Sequence, residues 1–525
     1  MDKQHSQEHS TETKSGAASN QVVKPNLVPM QLQFLPYDIL RGILSWLSIK
    51  EVVRMSILSR EWRQLRMCHP DLVFTEDTFG SYTITNTDQE SMTFEELLKF
   101  DAKKRDWLNR KFINNVDSVL RPFLCASNTS TITLEKFVVK SGLRRKHKYY
   151  IDKWVSFSTA ARAKHIAYDF TSDVNCFGSY FDKYKYVFPL CSLSGPNGSC
   201  IKYLDLGYVC LKLPPGFCGI TNLKKLTLNM VSINGDDLQC LLLSCTLLES
   251  LSIESCSSSS SLCVRQELSR LHYLRVRHCK LEMMEFHAPN LTKFEFDDQL
   301  MQTVLKQSSK LSEAIFVSNM RLCDGYDDDL DYIFTELPTA IPHVHTLLLL
   351  LTASQVERFC NTQDNFIGLR QLNMNLDIFF DPYDDNWAMG LVNLLKLAPL
   401  LEELEVHMDC DRYCSPNPRT VTAAQGPLHH HLKNVYMFGF CDVLGLAELA
   451  LYILGNAIVL ERMVVDTMAG MKEDLNTELF YSVKSGSSEG FVLPTKGALY
   501  CVEEKKLFAK KNLDREEFRH ILTIL

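Results

Sequence analysis

The stretch LSCTLLESLSI, residues 243–253, decides how this chain folds. In its second half Leu248, Leu251 and Ile253 follow the spacing Leu-x-x-Leu-x-Leu, whose last two apolar positions alternate as on one face of a strand. Its first half reads as a helix returning to that strand. Outward from it the template recurs as IKYLDL at 201, LKKLTL at 223, LHYLRV at 271, LTKFEF at 291, LSEAIF at 311, VHTLLL at 344, LRQLNM at 369, LEELEV at 401, LKNVYM at 432 and LERMVV at 460, eleven copies in all. Starts from 201 to 311 differ by 22, 25, 23, 20 and 20 residues, and later ones stretch to about thirty. No unit of this size buries its own leucines, so the copies must stack. Each then lays a short strand on a concave face and returns through a helix or loop on the convex side. The expected fold class is α/β, a curved parallel sheet whose concave surface is wide and open to a ligand.

Ahead of the repeats lies LPYDILRGILSWLSIKEVVRMSILSREWRQL, residues 35–65. Pro36 suits the first turn of a helix, where its missing N–H is not needed, and Ile39, Leu40, Ile43, Leu44 and Leu47 then recur at helical spacing as one apolar stripe. Residues 50–54 suggest a second short helix, and Ser59 suits the N-cap of a third that carries Trp62 and Leu65. Three helices in about thirty residues are marginal alone and need a partner or a neighbouring domain.

These residues resemble an F-box of the plant F-box/leucine-rich-repeat type, often accompanied by an FBD region. The match rests on Leu35, Pro36, Asp38, Ile39, Ile43, Leu44, Leu47, Arg54, Ser56, Leu58, Ser59, Arg60, Trp62 and Leu65. The resemblance implies that Leu35, Pro36, Ile39, Leu40, Ile43, Leu44 and Trp62 dock on a Skp-type linker, and through it on a cullin. Ser48 departs from the proline common in the family and is expected to loosen the first turn. Without the family, the same segment reads as an ordinary helical hairpin packed on the repeats. The resemblance extends to Ile151, Asp152 and Trp154, similar to an Ile-Asp-x-Trp helix that precedes a strand, and to residues 431–465, similar to an FBD region that would close the C-terminal end.

With 525 residues, 46% hydrophobic and 23% charged, the chain has the composition of a soluble globular protein of several domains. We read 1–30 as a polar disordered tail, 31–75 as the F-box, 76–185 as linking helices and an N-terminal cap, 186–430 as leucine-rich repeats, 431–480 as the FBD-like cap and 481–525 as a tail with a helix. The net charge of −7 argues against nucleic acid, which needs a concentrated basic face. The densest basic run, RRKHK at 144–148, reads as a solvated loop or a nuclear-import signal. No apolar leader opens the chain, so its 18 cysteines are expected as thiols in the cytoplasm or nucleus. The most apolar window, 444–460, is interrupted by Glu448, Gly455 and Asn456 and reads as a buried helix entering a strand, with no membrane partner.

Several residues imitate chemistry. Cys256 and Cys279 fall on the ninth template position, where a repeat wants a side chain that bonds the neighbouring turn. His407, Cys410 and Cys414 with His429, His430 and His431 are zinc-ligand types at poor spacing. GSSEG at 486–490 matches a nucleophile motif, but Pro494 stops the helix that must follow. No catalytic residue, metal or cofactor is therefore expected. The implied role is a substrate-recognition adaptor that holds an unidentified target protein on its repeats. The alternatives are a small-molecule receptor, for which Lys225, Arg275, Lys293 and Arg370 would have to converge, and an interaction scaffold without linker binding.

Overall fold

The computed structural model describes residues 35–58, 65–79, 94–125, 133–172, 182–194, 200–256, 261–297, 302–317, 337–352, 365–378, 387–410, 421, 426–468 and 496–525, except for positions 216, 218, 280, 282, 307 and 443. All eleven template copies form strands, each beginning two residues after its first template position, from Tyr203–Gly207 to Arg462–Asp466. Neighbours pair in parallel and in register, so that Leu204, Leu226, Leu251 and Leu274 meet across four successive strands and are buried. Template positions four and six thus form two continuous files behind the sheet. Positions three, five and seven lie on the concave face.

Three strands precede this array, Asp71–Thr75, Lys136–Lys140 and His165–Asp169, and one follows it, Leu522–Ile524, which makes a fifteen-stranded sheet in chain order among the described residues. The first and last correct the sequence reading. The segment 31–75 ends in a strand of the shared sheet, and so does 481–525, read as a tail with a helix. Neither stretch carries the template; each becomes a strand because a neighbouring edge accepts it. The 496–525 segment, beyond the FBD-like region, therefore closes the sheet.

Both ends are capped by helices. The helix Phe94–Cys125 buries Phe112, Ile113, Val116, Val119, Leu120 and Phe123 at helical spacing. Beside it, Trp154 of the helix Lys148–Ala160 is wholly buried and donates its Nε1–H to Asp117 Oδ1 at 2.9 Å. Asp152 accepts the Tyr186 hydroxyl. The Ile-Asp-x-Trp residues are therefore structural. At the other end the helix Leu444–Asn456 is buried along most of its length and packs between the helices Trp387–Leu397 and Lys496–Leu513.

The run at 144–148 is only partly solvated: Arg145, Lys146 and Lys148 are exposed, whereas Arg144 and His147 are engaged. Arg144 donates to the carbonyls of Leu143, Phe170 and Ser172, Lys146 pairs with Asp106, and His147 is buried and accepts the Arg144 N–H. A basic run that bonds the carbonyls of 170–172 on one side and the Asp106 carboxylate on another acts as a clamp, which local sequence cannot reveal.

Five of the repeat strands turn sharply out of the sheet at template position eight, which takes a left-handed backbone: φ is +53° at Tyr208, +56° at Met230, +50° at Ser255 and at His278, and +70° at Gly439. The following side chain then points inward. Cys256 and Cys279 do so, their thiols donating to the carbonyls of Leu228 at 3.5 Å and Ile253 at 3.7 Å on the preceding strand. Burial pushes the Cys256 thiol pKa up to about 12, so it stays protonated and able to donate. The ninth-position reading holds.

Candidate functional site

Two surfaces are candidate sites. The first is the small module ahead of the sheet, with helices Tyr37–Leu44 and Ile49–Leu58. Ser48 tightens it and does not loosen it: the Glu51 carboxylate accepts from the Ser48 backbone N–H at 2.7 Å and hydroxyl at 2.8 Å, while Glu51 N–H reaches back to the Ser48 oxygen. This is a reciprocal cap on the second helix. The hydrogen bonds from Ser48 hold the Glu51 carboxyl below its ordinary pKa.

The expected apolar stripe divides. Leu40 and Leu44 join Val52 and Leu65 in a buried cluster, so these two are the module's own core and are withheld from a partner. Leu35 and Ile43 are half-buried, and Pro36 is exposed as the N-cap, one residue earlier than expected. Ile39 is 53% exposed. Trp62 lies outside the described residues. Two exposed apolar side chains were missed, Trp46 at 86% and Ile57 at 77%. Their signal was present, because Ile57 lies at the end of the second helix and Trp46 in the turn between the helices, both positions where a surface would ordinarily be polar.

Docking onto the solenoid orients this module. Arg41 Nη1 donates to the Thr133 carbonyl at 2.7 Å, and Lys50 Nζ reaches the Asp77 carbonyl. His69, buried, bridges the two parts: its Nδ1 accepts the Asp71 N–H at 3.0 Å, so Nε2 carries the proton and donates to the Leu47 carbonyl at 3.0 Å. Ile49 belongs to the solenoid's core.

The second surface is the concave face. Toward its N-terminal end His165 Nε2 lies 2.7 Å from Asp205 Oδ2. Burial raises the Asp205 pKa, but the hydrogen bonds from His165 and Thr227 and the nearby cations outweigh it, leaving the carboxyl below its ordinary range. In the middle, Arg275 meets Glu295 at 2.7 Å, Arg277 meets Asp297 at 2.9 Å and Lys293 meets Glu313 at 2.6 Å. Next to them Ile315, Val317 and Leu348 form an apolar cluster separate from the main core. Farther on, Arg370 and Lys433 both pair with Glu402, holding its carboxyl below the usual range. Arg275, Lys293 and Arg370 are thus each matched to a carboxylate across a strand and do not converge; Lys225 stands exposed.

The suspected zinc set is divided among other contacts. His407 Nε2 lies 2.8 Å from Glu405, and His429 bonds the Tyr452 hydroxyl at 3.0 Å. The Cys410 side chain, Cys414 and residues 486–490 lie outside the described residues. No described helix is long and apolar enough to cross a membrane.

Comparison with known proteins agrees with this geometry. The family model for the At1g61320/AtMIF1 LRR domain matches residues 127–489, and that for the F-box domain matches residues 32–65. Among similar Arabidopsis thaliana proteins, one named as an F-box/FBD/LRR-repeat protein, At5g62970, is 24% identical over 71% of this chain and 78% of its own length. Another so named, At5g56810, is 24% identical over 83% of this chain and 89% of its own length. An FBD-associated F-box protein, At5g22720, is 23% identical over 56% of each.

Proposed function

Because the chain belongs to the F-box proteins with a leucine-rich-repeat domain of the At1g61320/AtMIF1 type, we propose that it is the substrate-recognition subunit of a Skp-cullin-F-box ubiquitin ligase. F-box proteins of this kind are substrate-recognition proteins and typically non-catalytic, and the F-box domain generally binds a Skp-type linker. In the proposed role the linker sits on the exposed Pro36, Ile39, Trp46 and Ile57 of the module, a cullin follows through the linker, and the concave face holds a target protein. The chain's contribution is proximity, because a held target meets the ubiquitin-charged enzyme at high effective concentration.

The observation that carries this reading is the set of exposed apolar side chains, Ile39, Trp46 and Ile57, on a module locked to the solenoid by Arg41 and His69. A fold with no partner there would gain by making those positions polar. Reduced Cys256 and Cys279, acting as hydrogen-bond donors, support a reducing compartment, the cytoplasm or nucleus.

The test is capture of a Skp-type linker by the full chain. Replacing Pro36 by Ala and Ile39 by Asp should weaken capture by roughly tenfold or more, as when central apolar anchors are truncated, with the melting temperature little changed. Undiminished capture by the folded double variant would refute this docking surface.

A further inference from the structure

The strands Thr346–Thr352, Gln371–Ile378, Glu403–Cys410 and Asn434–Phe438 carry a feature that neither ion pairing nor core packing accounts for. At their beginning lies a cleft of about 230 Å³, lined by Thr346, Arg370, Gln371, Glu403, Lys433 and Asn434 among others. Its two cations are both taken by Glu402. Glu403 is left in the cleft with no ion pair among the described residues, flanked in register by the amides of Gln371 and Asn434. The Gln371 carbonyl oxygen accepts the Thr346 hydroxyl at 3.1 Å, which turns its N–H₂ toward other acceptors.

Farther along the last two of these strands aromatic side chains appear, Tyr436 two residues beyond Asn434, then Phe438 and His407 four residues beyond Asn434 and Glu403. Tyr436 and Phe438 are half-buried with their rings parallel, interplanar angle 4° and centroids 6.3 Å apart, and His407 stacks on Phe438 at 4.7 Å. Arg462 lies over the Tyr436 ring at 5.8 Å. An unpaired carboxylate between amides attracts a cation with several N–H donors. The adjoining ring stack offers apolar area to a flat side chain.

Resting on the adaptor reading, we propose that this cleft and stack form the subsite for an extended segment of the target bearing a lysine or arginine, with a large aromatic residue two positions on. Same-side residues of an extended chain are about 6.6 Å apart, the repeat that also separates Glu403 from Glu405 and Asn434 from Tyr436 along their strands. A segment lying along the strands therefore meets the carboxylate with one side chain and the rings with the next but one. The cation neutralises Glu403, and the target's backbone is within reach of the amides.

Fluorescence anisotropy with the full chain tests this, using labelled octapeptides that contain Arg-Ser-Trp, Glu-Ser-Trp or Arg-Ser-Ser within a Gly-Ser frame. The Arg-Ser-Trp peptide should bind at least tenfold tighter than either control. Glu403→Lys should reverse the charge preference, so that Glu-Ser-Trp binds better than Arg-Ser-Trp, while Tyr436→Ser should erase the tryptophan preference and leave the charge preference. Equal binding of the three peptides, or an arginine preference that survives Glu403→Lys in a variant with native circular dichroism, overturns the subsite. Linker capture is read on the same preparation. Capture without peptide preference removes the subsite and leaves the adaptor; preference without capture does the reverse.

Discussion

Among single residues, those at template position eight bear the solenoid's tightest demand. Tyr208, Met230, Ser255 and His278 accept a left-handed backbone although each has a Cβ, and at Gly439 there is no room for one. A Cβ there would stand 2.1 Å from the Met408 carbonyl oxygen, a backbone atom that cannot swing aside. Gly439→Ala should therefore cost about 1–3 kcal/mol, measured by chemical denaturation. His147 makes a second residue-scale prediction. Burial first, and then the Lys146 charge, depress its pKa to about 4, so the folded ring is neutral where an unfolded one would protonate. Between the unfolded value near ~6.5 and the folded one, the unfolded state binds more protons, and stability must fall as pH falls through that window. The loss should be about 1–2 kcal/mol after allowance for solvent screening, and His147→Asn should flatten the slope of unfolding free energy against pH. An unchanged slope in the variant would remove His147 from the clamp.

At the scale of the element, the ends differ from the middle. A middle strand has two neighbours, whereas an end strand must be covered or left as an open edge. At the N-terminal end the module's helices and Phe94–Cys125 provide cover; at the C-terminal end the helix Lys496–Leu513 inserts Ala509 and Leu513, both fully buried, and Leu522–Ile524 takes the last edge. A chain shortened to end at residue 468 exposes that edge together with the face of the Leu444–Asn456 helix. It should aggregate or lose cooperativity on heating, seen by light scattering and calorimetry, because solenoid ends need caps. A soluble shortened chain with an unchanged melting temperature would show that 496–525 is accessory.

Across the whole molecule, the module keeps its own small core of Leu40, Leu44, Val52 and Leu65 and is joined to the solenoid's core through Ile49. Ile49 of the module packs with residues of the solenoid, Arg41 bonds the Thr133 carbonyl just ahead of the second strand, and His69 links Leu47 to Asp71 of the first. Any target on the Glu403–Tyr436 region is consequently held at a set orientation to whatever binds Pro36 and Ile39. In the proposed role that fixed orientation would contribute to transfer onto the target, because a held geometry turns an encounter into an effectively intramolecular step.

The sequence by itself determined the repeat, its eleven strands, the inward side chains of Leu251 or Cys256, and the presence of a helical module before it. These follow from period alone, since a stacked unit admits only one face for its leucines. Only the tertiary structure decided the rest. Whether Leu40 is core and Trp46 surface depends on which neighbour the module meets, and helical spacing treats a buried stripe and a docking stripe alike. Asp71–Thr75 and Leu522–Ile524 are strands because an unpaired sheet edge is there to receive them. Arg275, Lys293 and Arg370 are paired, and Glu403 is not, because their partners come from strands twenty to thirty residues away; that distance is covered by stacking and is invisible to any local window.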